Sequence, residues 1–192
     1  MSLLSPETNP HVFAKDAIRY KRTNFLSSAE TGLTGPPSPE MDAAWDRLLD
    51  DASIRLTANE VSRFNSSSID LQESKGKLAW LEISHQTHCI NYIRKALYRS
   101  YYYADLAEQD WQALIMPHVD HCLNDLVQNA QCRADTTPKF FEWETERIKP
   151  TIVPNYHIAR TCVDLDYFKD SLQDRVVSHA EMRRLKNPLL NA

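Results

Sequence analysis

Glycine is nearly absent from this chain: Gly32, Gly35 and Gly76 are the only three in 192 residues. None stands in GxGxxG or GxxxxGKS/T order, which excludes the phosphate-cradling loops of dinucleotide-binding and P-loop proteins. Long apolar runs are missing too, so no segment reaches membrane-spanning length. Met1 to Lys15 carries neither the charged nor the apolar region of a signal peptide, and the chain as written reads as soluble. There is no basic stripe. Charged residues make up 25% of the chain and the net charge is −4, which argues against nucleic acid as a partner. One domain is expected at this length, large enough to bury a core.

Histidine is where the sequence concentrates its information. His85-Gln-Thr-His88-Cys89 and His118-Val-Asp-His121-Cys122 repeat one HxxHC pattern at an offset of 33 residues and hold four of the seven histidines. From this composition a single HxxHC is expected by chance in roughly 0.005 of such chains, so two copies need a reason. The match extends beyond the motif: Leu81, Ile90 and Asn91 correspond to Leu114, Leu123 and Asn124. The two segments read as related half-sites.

The surrounding pattern predicts an α+β domain, mainly α, with two HxxHC-bearing helices, a short β-hairpin and an irregular N-terminal arm. Residues 1 to 37 are rich in turn formers and form the arm; 38 to 172 form the body; 173 to 192 form a polar, solvated tail. Ser38-Pro39-Glu40 is a helix start, followed by an apolar face of Met41, Ala44, Trp45, Leu48 and Leu49. Thr57 and Glu60 make a capping box for a short helix to about Phe64. Ile69 to Gln72 and Lys77 to Ile83 read as strands of a hairpin turning at Gly76. Ser84 is placed to cap a helix from His85 to about Tyr101, with Ile90, Ile93, Ala96 and Leu97 facing inward. Asp105 and Glu108 resemble a cap for a helix carrying Trp111, Leu114 and Ile115, which Pro117 kinks or ends. Ala134 to Pro138 is a turn and Phe140 to Trp143 an extended piece. Pro150 and Pro154 mark irregular chain, and Cys162 to Leu172 a short helix.

Residues three and four apart share a helical face, so His85, His88 and Cys89 point one way, as do His118, His121 and Cys122. Placed in a first turn, the histidines are kept neutral by the helix dipole, the state a metal requires. Such donors suit zinc, copper, iron or nickel and exclude magnesium and calcium. A structural zinc in a closed tetrahedral set is the main alternative, although the spacing is not that of a zinc finger. The HxD within His118-Val-Asp120 belongs in a β-barrel when it serves iron, whereas this segment reads helical. His157, five residues before Cys162, is a candidate auxiliary ligand; His11 and His179 read as solvated. Tyr98 to Tyr103 reads as packing at a helix end. Asn65-Ser66-Ser67 is a glycosylation triplet of a kind common by chance. The four cysteines, Cys89, Cys122, Cys132 and Cys162, allow two disulfides in three connectivities, or thiolate ligands.

On these motifs the chain resembles the fungal UstYa-like oxidases, whose hallmark is a pair of HxxHC motifs. The resemblance covers about residues 20 to 172. It rests on Gly35-Pro36-Pro37-Ser38 leading to Asp42-Ala-Ala-Trp45, on HQTHCINYIRKALY from His85, and on HVDHCLNDLVQNAQCRAD from His118 to Asp135. It implies copper held by His85, His88, His118 and His121, which are then also the catalytic residues. It implies a tailoring oxidoreductase of fungal secondary metabolism that hydroxylates, halogenates or oxidatively cyclises unactivated carbon. Its partners would be a small-molecule or peptide natural product, dioxygen or a peroxide, a halide for halogenation, and further copies or other subunits. Relatives usually carry an N-terminal helix that anchors them in a secretory-pathway membrane. They often have a histidine two residues before the last cysteine, where this chain has Arg160. Beside a redox copper, thiolates would be consumed, so the cysteines are expected to be oxidised. The repeat pairs Cys89 with Cys122, leaving Cys132 for Cys162. The rival expectation is a zinc-stabilised scaffold protein without catalysis.

Overall fold

The computed structural model describes residues 13–73, 75–144, 151–155, 159–187 and 190. Helix predominates, and the sheets are small two-stranded antiparallel pairs. The chain divides into two compact units. One comprises the described residues up to Lys21, Leu48–His85, and those from Val163 onward; the other comprises Arg22–Arg47 and Gln86–Cys162. The division falls inside the continuous helix Glu82–Leu97, directly after His85, and that helix is described whole with the second unit.

In the first unit, Lys77–Trp80 is a strand as expected, and its main partner is Ser53–Leu56, with residues 69 to 71 meeting it across the turn at Gly76 as a short hairpin. Ile54 lies opposite Ala79 and Leu56 opposite Lys77. The hairpin is short: Asp70 bridges Lys77, Leu71 N–H donates to Gly76 O and Leu78 N–H to Ile69 O, both at 2.9 Å. The long-range pairing prevails because Ile54 and Leu56 join Val61 in a buried cluster, with Phe13, Ala79 and Leu81 packed on it. The helix Ala58–Ser62 has the expected capping box: Thr57 Oγ1 accepts from Glu60 N at 3.2 Å and Glu60 Oε2 accepts from Thr57 N at 2.7 Å. The expected solvated tail is instead anchored. Val177 is fully buried and its N–H donates to Ser53 O at 2.9 Å, and a Ser178-capped helix, His179–Arg184, follows. The helix expected from Cys162 begins later, as Leu165–Asp170 capped by Asp164, because Ala159–Val163 is a strand.

In the second unit, Ser38 Oγ accepts from Met41 N at 3.2 Å and starts the helix Pro39–Leu49, whose Met41 and Trp45 are buried. The first HxxHC helix breaks at Tyr98 and resumes as Arg99–Tyr102. The second is Met116–Arg133, closed by Ala134 in the left-handed conformation. Two segments expected to be irregular are strands: Tyr20–Asn24, which pairs with Ala159–Val163, and Thr151–Pro154, which pairs with Phe141–Glu144. Among the described residues no helix is long and apolar enough to cross a membrane.

Candidate metal centre

Both HxxHC motifs lie on helices, but neither helix starts where its motif does. The N–H groups of Ser84 and His85 donate to Leu81 O at 2.9 and 3.0 Å, so the first helix opens at Glu82 and Ser84 lies inside it. The second motif follows a helix opened at Glu108 after Ala107, without the expected side-chain cap from Asp105. That helix continues through a π turn, Trp111–Ile115, in which Met116 N–H reaches Trp111 O. Pro117 lacks an N–H and cannot continue a regular ladder, and a π turn just before it absorbs the misfit. His118 and His121 are therefore well inside a helical run, and the helix-dipole argument for their neutrality does not apply to them.

The inward face of the first motif helix is polar, against expectation. Ile90 and Leu97 are 48% and 77% exposed, whereas Cys89, Asn91 and Arg94 are buried. The Arg94 guanidinium donates to Asp42 Oδ1 at 2.7 Å, Tyr102 Oη at 2.7 Å and Asn91 Oδ1 at 3.0 Å, and Tyr102 Oη donates to Asp42 Oδ1 at 2.6 Å. Burial pushes the Asp42 carboxyl up, but the bonds from Tyr102 and Arg94 prevail and hold it below its ordinary value. This network fixes the first motif helix against Pro39–Leu49.

The histidine rings of the two motifs converge. The His88 and His118 centroids are 5.5 Å apart, and those of His118 and His121 are 6.0 Å apart. Tyr92, one turn beyond His88, lies against His118 at 4.0 Å with its ring tilted by 31°. Burial raises the Tyr92 phenol above its ordinary value, with Tyr103 and the Cys122 thiol adding to the shift. His85, Cys89 and Asp125 offer ligand atoms that all lie within 4.8 Å of one another.

Cys89 and Cys122 are fully buried, Cys132 is exposed, and none of the four cysteines is in a disulfide. The expected pairs Cys89–Cys122 and Cys132–Cys162 are thus not formed, and Cys89 lies in the cluster with His85 and Asp125. His11 and His157 lie outside the described residues, and His179 begins a helix of the first unit. The motif search missed Tyr92 and Asp125. Each lies seven positions after the first histidine of its helix, on the same face by helical periodicity, and that spacing was the available signal.

A family model described as mycotoxin biosynthesis protein UstYa matches residues 3–174. The chain is 28% identical over 144 residues to the UstYa family oxidase phomYc of Diaporthe leptostromiformis, which covers 71% of this chain and 56% of that protein. It is 29% identical over 169 residues to the UstYa family oxidase aprY of Aspergillus flavus, covering 79% of this chain and 50% of the other. To the hydroxylase cctR of Talaromyces islandicus it is 30% identical over 127 residues, covering 65% and 46%. The chain spans about half the length of the curated relatives it matches. No solved structure matches it. A family match over nearly the whole sequence, on a chain that carries HxxHC on two helices, places this protein in the UstYa family.

Proposed function

We propose that this protein is a copper-dependent oxidoreductase that tailors fungal secondary metabolites, functionalising unactivated C–H bonds by hydroxylation, halogenation or oxidative cyclisation. The observation that carries the reading is the convergence of His88, His118 and His121 from two helices, with centroids 5.5 and 6.0 Å apart. An ion about 2.0 Å from an imidazole nitrogen lies roughly 3.2 Å from that ring's centroid, so two rings sharing one ion stand roughly 5 to 6 Å apart. The observed rings fit. His85, on the same helix as His88, completes the four-histidine set that the family resemblance implies. The names of the relatives, oxidases and one hydroxylase, support oxidative chemistry over another use of a metal.

Bound copper would supply one-electron redox chemistry toward dioxygen or a peroxide, which zinc cannot perform. The protein's own part is positional. His85 and His88 from one helix and His118 and His121 from the other would hold the ion, and a shared ion would tie the two helices together. The Tyr92 ring lies against His118 at 4.0 Å and restricts the rotation of that imidazole. The substrate is a small-molecule or peptide natural product, with halide as co-substrate for halogenation.

A second reading, a zinc-stabilised scaffold without catalysis, is favoured by one observation: Cys89 and Asp125 beside His85 are donors that zinc accepts readily. Metal analysis of the purified protein separates the two. His88→Ala and His121→Ala are each expected to abolish copper uptake and turnover while keeping the far-UV spectrum. Full copper occupancy in either variant overturns the assignment, and tightly held zinc without oxidative turnover selects the scaffold.

A further inference from the structure

The cations of the first unit differ in how they are neutralised. A cleft of about 510 Å³ in that unit is walled by Arg55, Lys75, Lys77 and Arg175 together with Asp70 and Asp174. Two of these cations are engaged by the protein itself. Lys77 Nζ pairs with Asp70 Oδ1 at 2.7 Å, and Arg175 Nη1 donates to both Glu60 oxygens, at 3.0 and 3.1 Å, with the Phe13 ring against its guanidinium. Arg55 is different. Its Nε is buried and donates to nothing, and among the described residues it is the one buried side-chain nitrogen or oxygen in that condition. The turn beneath it is shaped for its stem: a Cβ on Gly76 would stand 2.9 Å from Arg55 Cγ and 3.4 Å from Cδ, so the bare glycine is what lets the stem lie there. Lys75, one residue earlier, holds a left-handed φ of +55°, which a lysine adopts at a cost. A buried donor without an acceptor is destabilising, the more so on a charged group, and a fold that keeps one has a use for it.

We propose that this cleft binds a small organic carboxylate, held by the guanidinium edge of Arg55. The Nε and Nη hydrogens along that edge form two parallel bonds that match the two oxygens of a carboxylate. Rotation about the last bonds of the side chain turns the edge toward the cleft. Charge decides between a carboxylate and a phosphate. Four cations (Arg55, Lys75, Lys77, Arg175) face three carboxylates (Asp70, Asp174 and Glu60 behind Arg175), an excess of one. A monoanion is neutralised there, whereas a phosphate monoester would bring nearly two charges beside Asp70 and Asp174. The cleft is larger than a carboxylate alone requires, and Leu56 and Ala58 in its wall offer apolar surface to the body of the ligand. The site lies wholly in the first unit and does not depend on the reading of the histidines as a metal centre.

Benzoate is the probe, with benzamide as its uncharged counterpart and inorganic phosphate as the competing oxyanion, each titrated at low chloride into the isotope-labelled full chain and followed by NMR. Benzoate should shift the Arg55 Nε–H and Gly76 amide resonances saturably, benzamide should not, and phosphate should bind more weakly than benzoate. Arg55→Met should weaken benzoate binding by about tenfold or more. Because it removes an unpaired charge and keeps the stem, it should leave the melting temperature of the ligand-free chain unchanged or higher. No saturable benzoate shift, an equal response to benzamide, or a smaller loss in Arg55→Met overturns the site. Phosphate binding as tight as benzoate or tighter overturns the carboxylate assignment. A melting temperature of Arg55→Met below that of the wild type, or a variant that does not fold, assigns Arg55 to the fold and overturns the proposal as well.

Discussion

Replacing Asp42 with asparagine tests whether the polar inner face of the first motif helix is a structural necessity. The Arg94 side chain is 8% exposed and Asp42 28%, and their oxygen and nitrogen lie 2.7 Å apart. Asp42→Asn removes the carboxylate that pairs with Arg94 and leaves a guanidinium facing Asn91, Tyr102 and the Met41 sulfur. Breaking a buried pair from one side costs about 3 to 5 kcal/mol, and the partial exposure of Asp42 puts the expectation at the lower end, about 3 kcal/mol. For a chain of this size that lowers the melting temperature by roughly 6 to 12 °C. Calorimetry at neutral pH on metal-free protein measures it. Arg94→Met with Asp42→Asn should recover part of the loss, since no unpaired charge then remains. The carboxyl sits below its ordinary value when folded, so its contribution is whole above about pH 4 and fades as pH falls through the depressed folded value. The difference between wild type and Asp42→Asn should therefore shrink in acid. A variant within about 0.5 kcal/mol of wild type at pH 7 would refute the reasoning.

The two half-sites should depend on each other: copper should raise the melting temperature of the intact protein, and His85→Ala should remove nearly all of the gain, whereas retention of half the metal and half the gain would mean that each motif binds its own ion. Thiol titration of native, metal-free protein should find Cys132 reactive at once and Cys89 and Cys122 reactive only in denaturant, since both are fully buried; fewer than four thiols in denaturant would restore the disulfides. Gly76→Ala should destabilise the first unit by about 2 kcal/mol in urea melts, because φ is +113° and a Cβ would stand 2.8 Å from Leu56 O; an unchanged midpoint would show that the turn yields.

Local chemistry was legible in the sequence where its cause was local. The caps at Ser38 and Thr57 formed because each needs only a side chain and an N–H three residues on. The placement of both HxxHC motifs on helices was legible from periodicity, although neither expected cap, Ser84 nor Asp105, opens its helix. Ser53–Leu56 was not, because its strand character comes from pairing with Lys77–Trp80. Val176 and Val177 stand in an otherwise polar stretch, yet a bridge to Ile54, a fully buried Val177 and the Arg175–Glu60 pair anchor a tail that composition describes as solvated. The inner face of the first motif helix misled for a different reason. Periodicity counts apolar residues, and here a salt-bridged arginine faces inward while Leu97 faces out. Tyr92 and Asp125 escaped because they differ from each other, and a motif search registers only what repeats.

The π turn before the second motif sets a rotational phase. Trp111 is buried, packed edge-on to Tyr103 at 5.5 Å and beneath the Arg99 guanidinium at 4.5 Å, while His118 lies against Tyr92. One run of helix must serve both engagements, and a regular ladder turns about 100° per residue. The wider turn at Trp111–Ile115 takes up one residue, so the tryptophan and the histidine each meet their partners. Deleting one residue there would return the run to a regular ladder with both sides still in phase, whereas forcing the same residues into a regular ladder would swing everything upstream by about 100° relative to the histidines. The segment acts as a clutch between the aromatic anchor and the histidine-bearing helix, slipping by one residue so that His118 and His121 keep their aim while Trp111 keeps its seat.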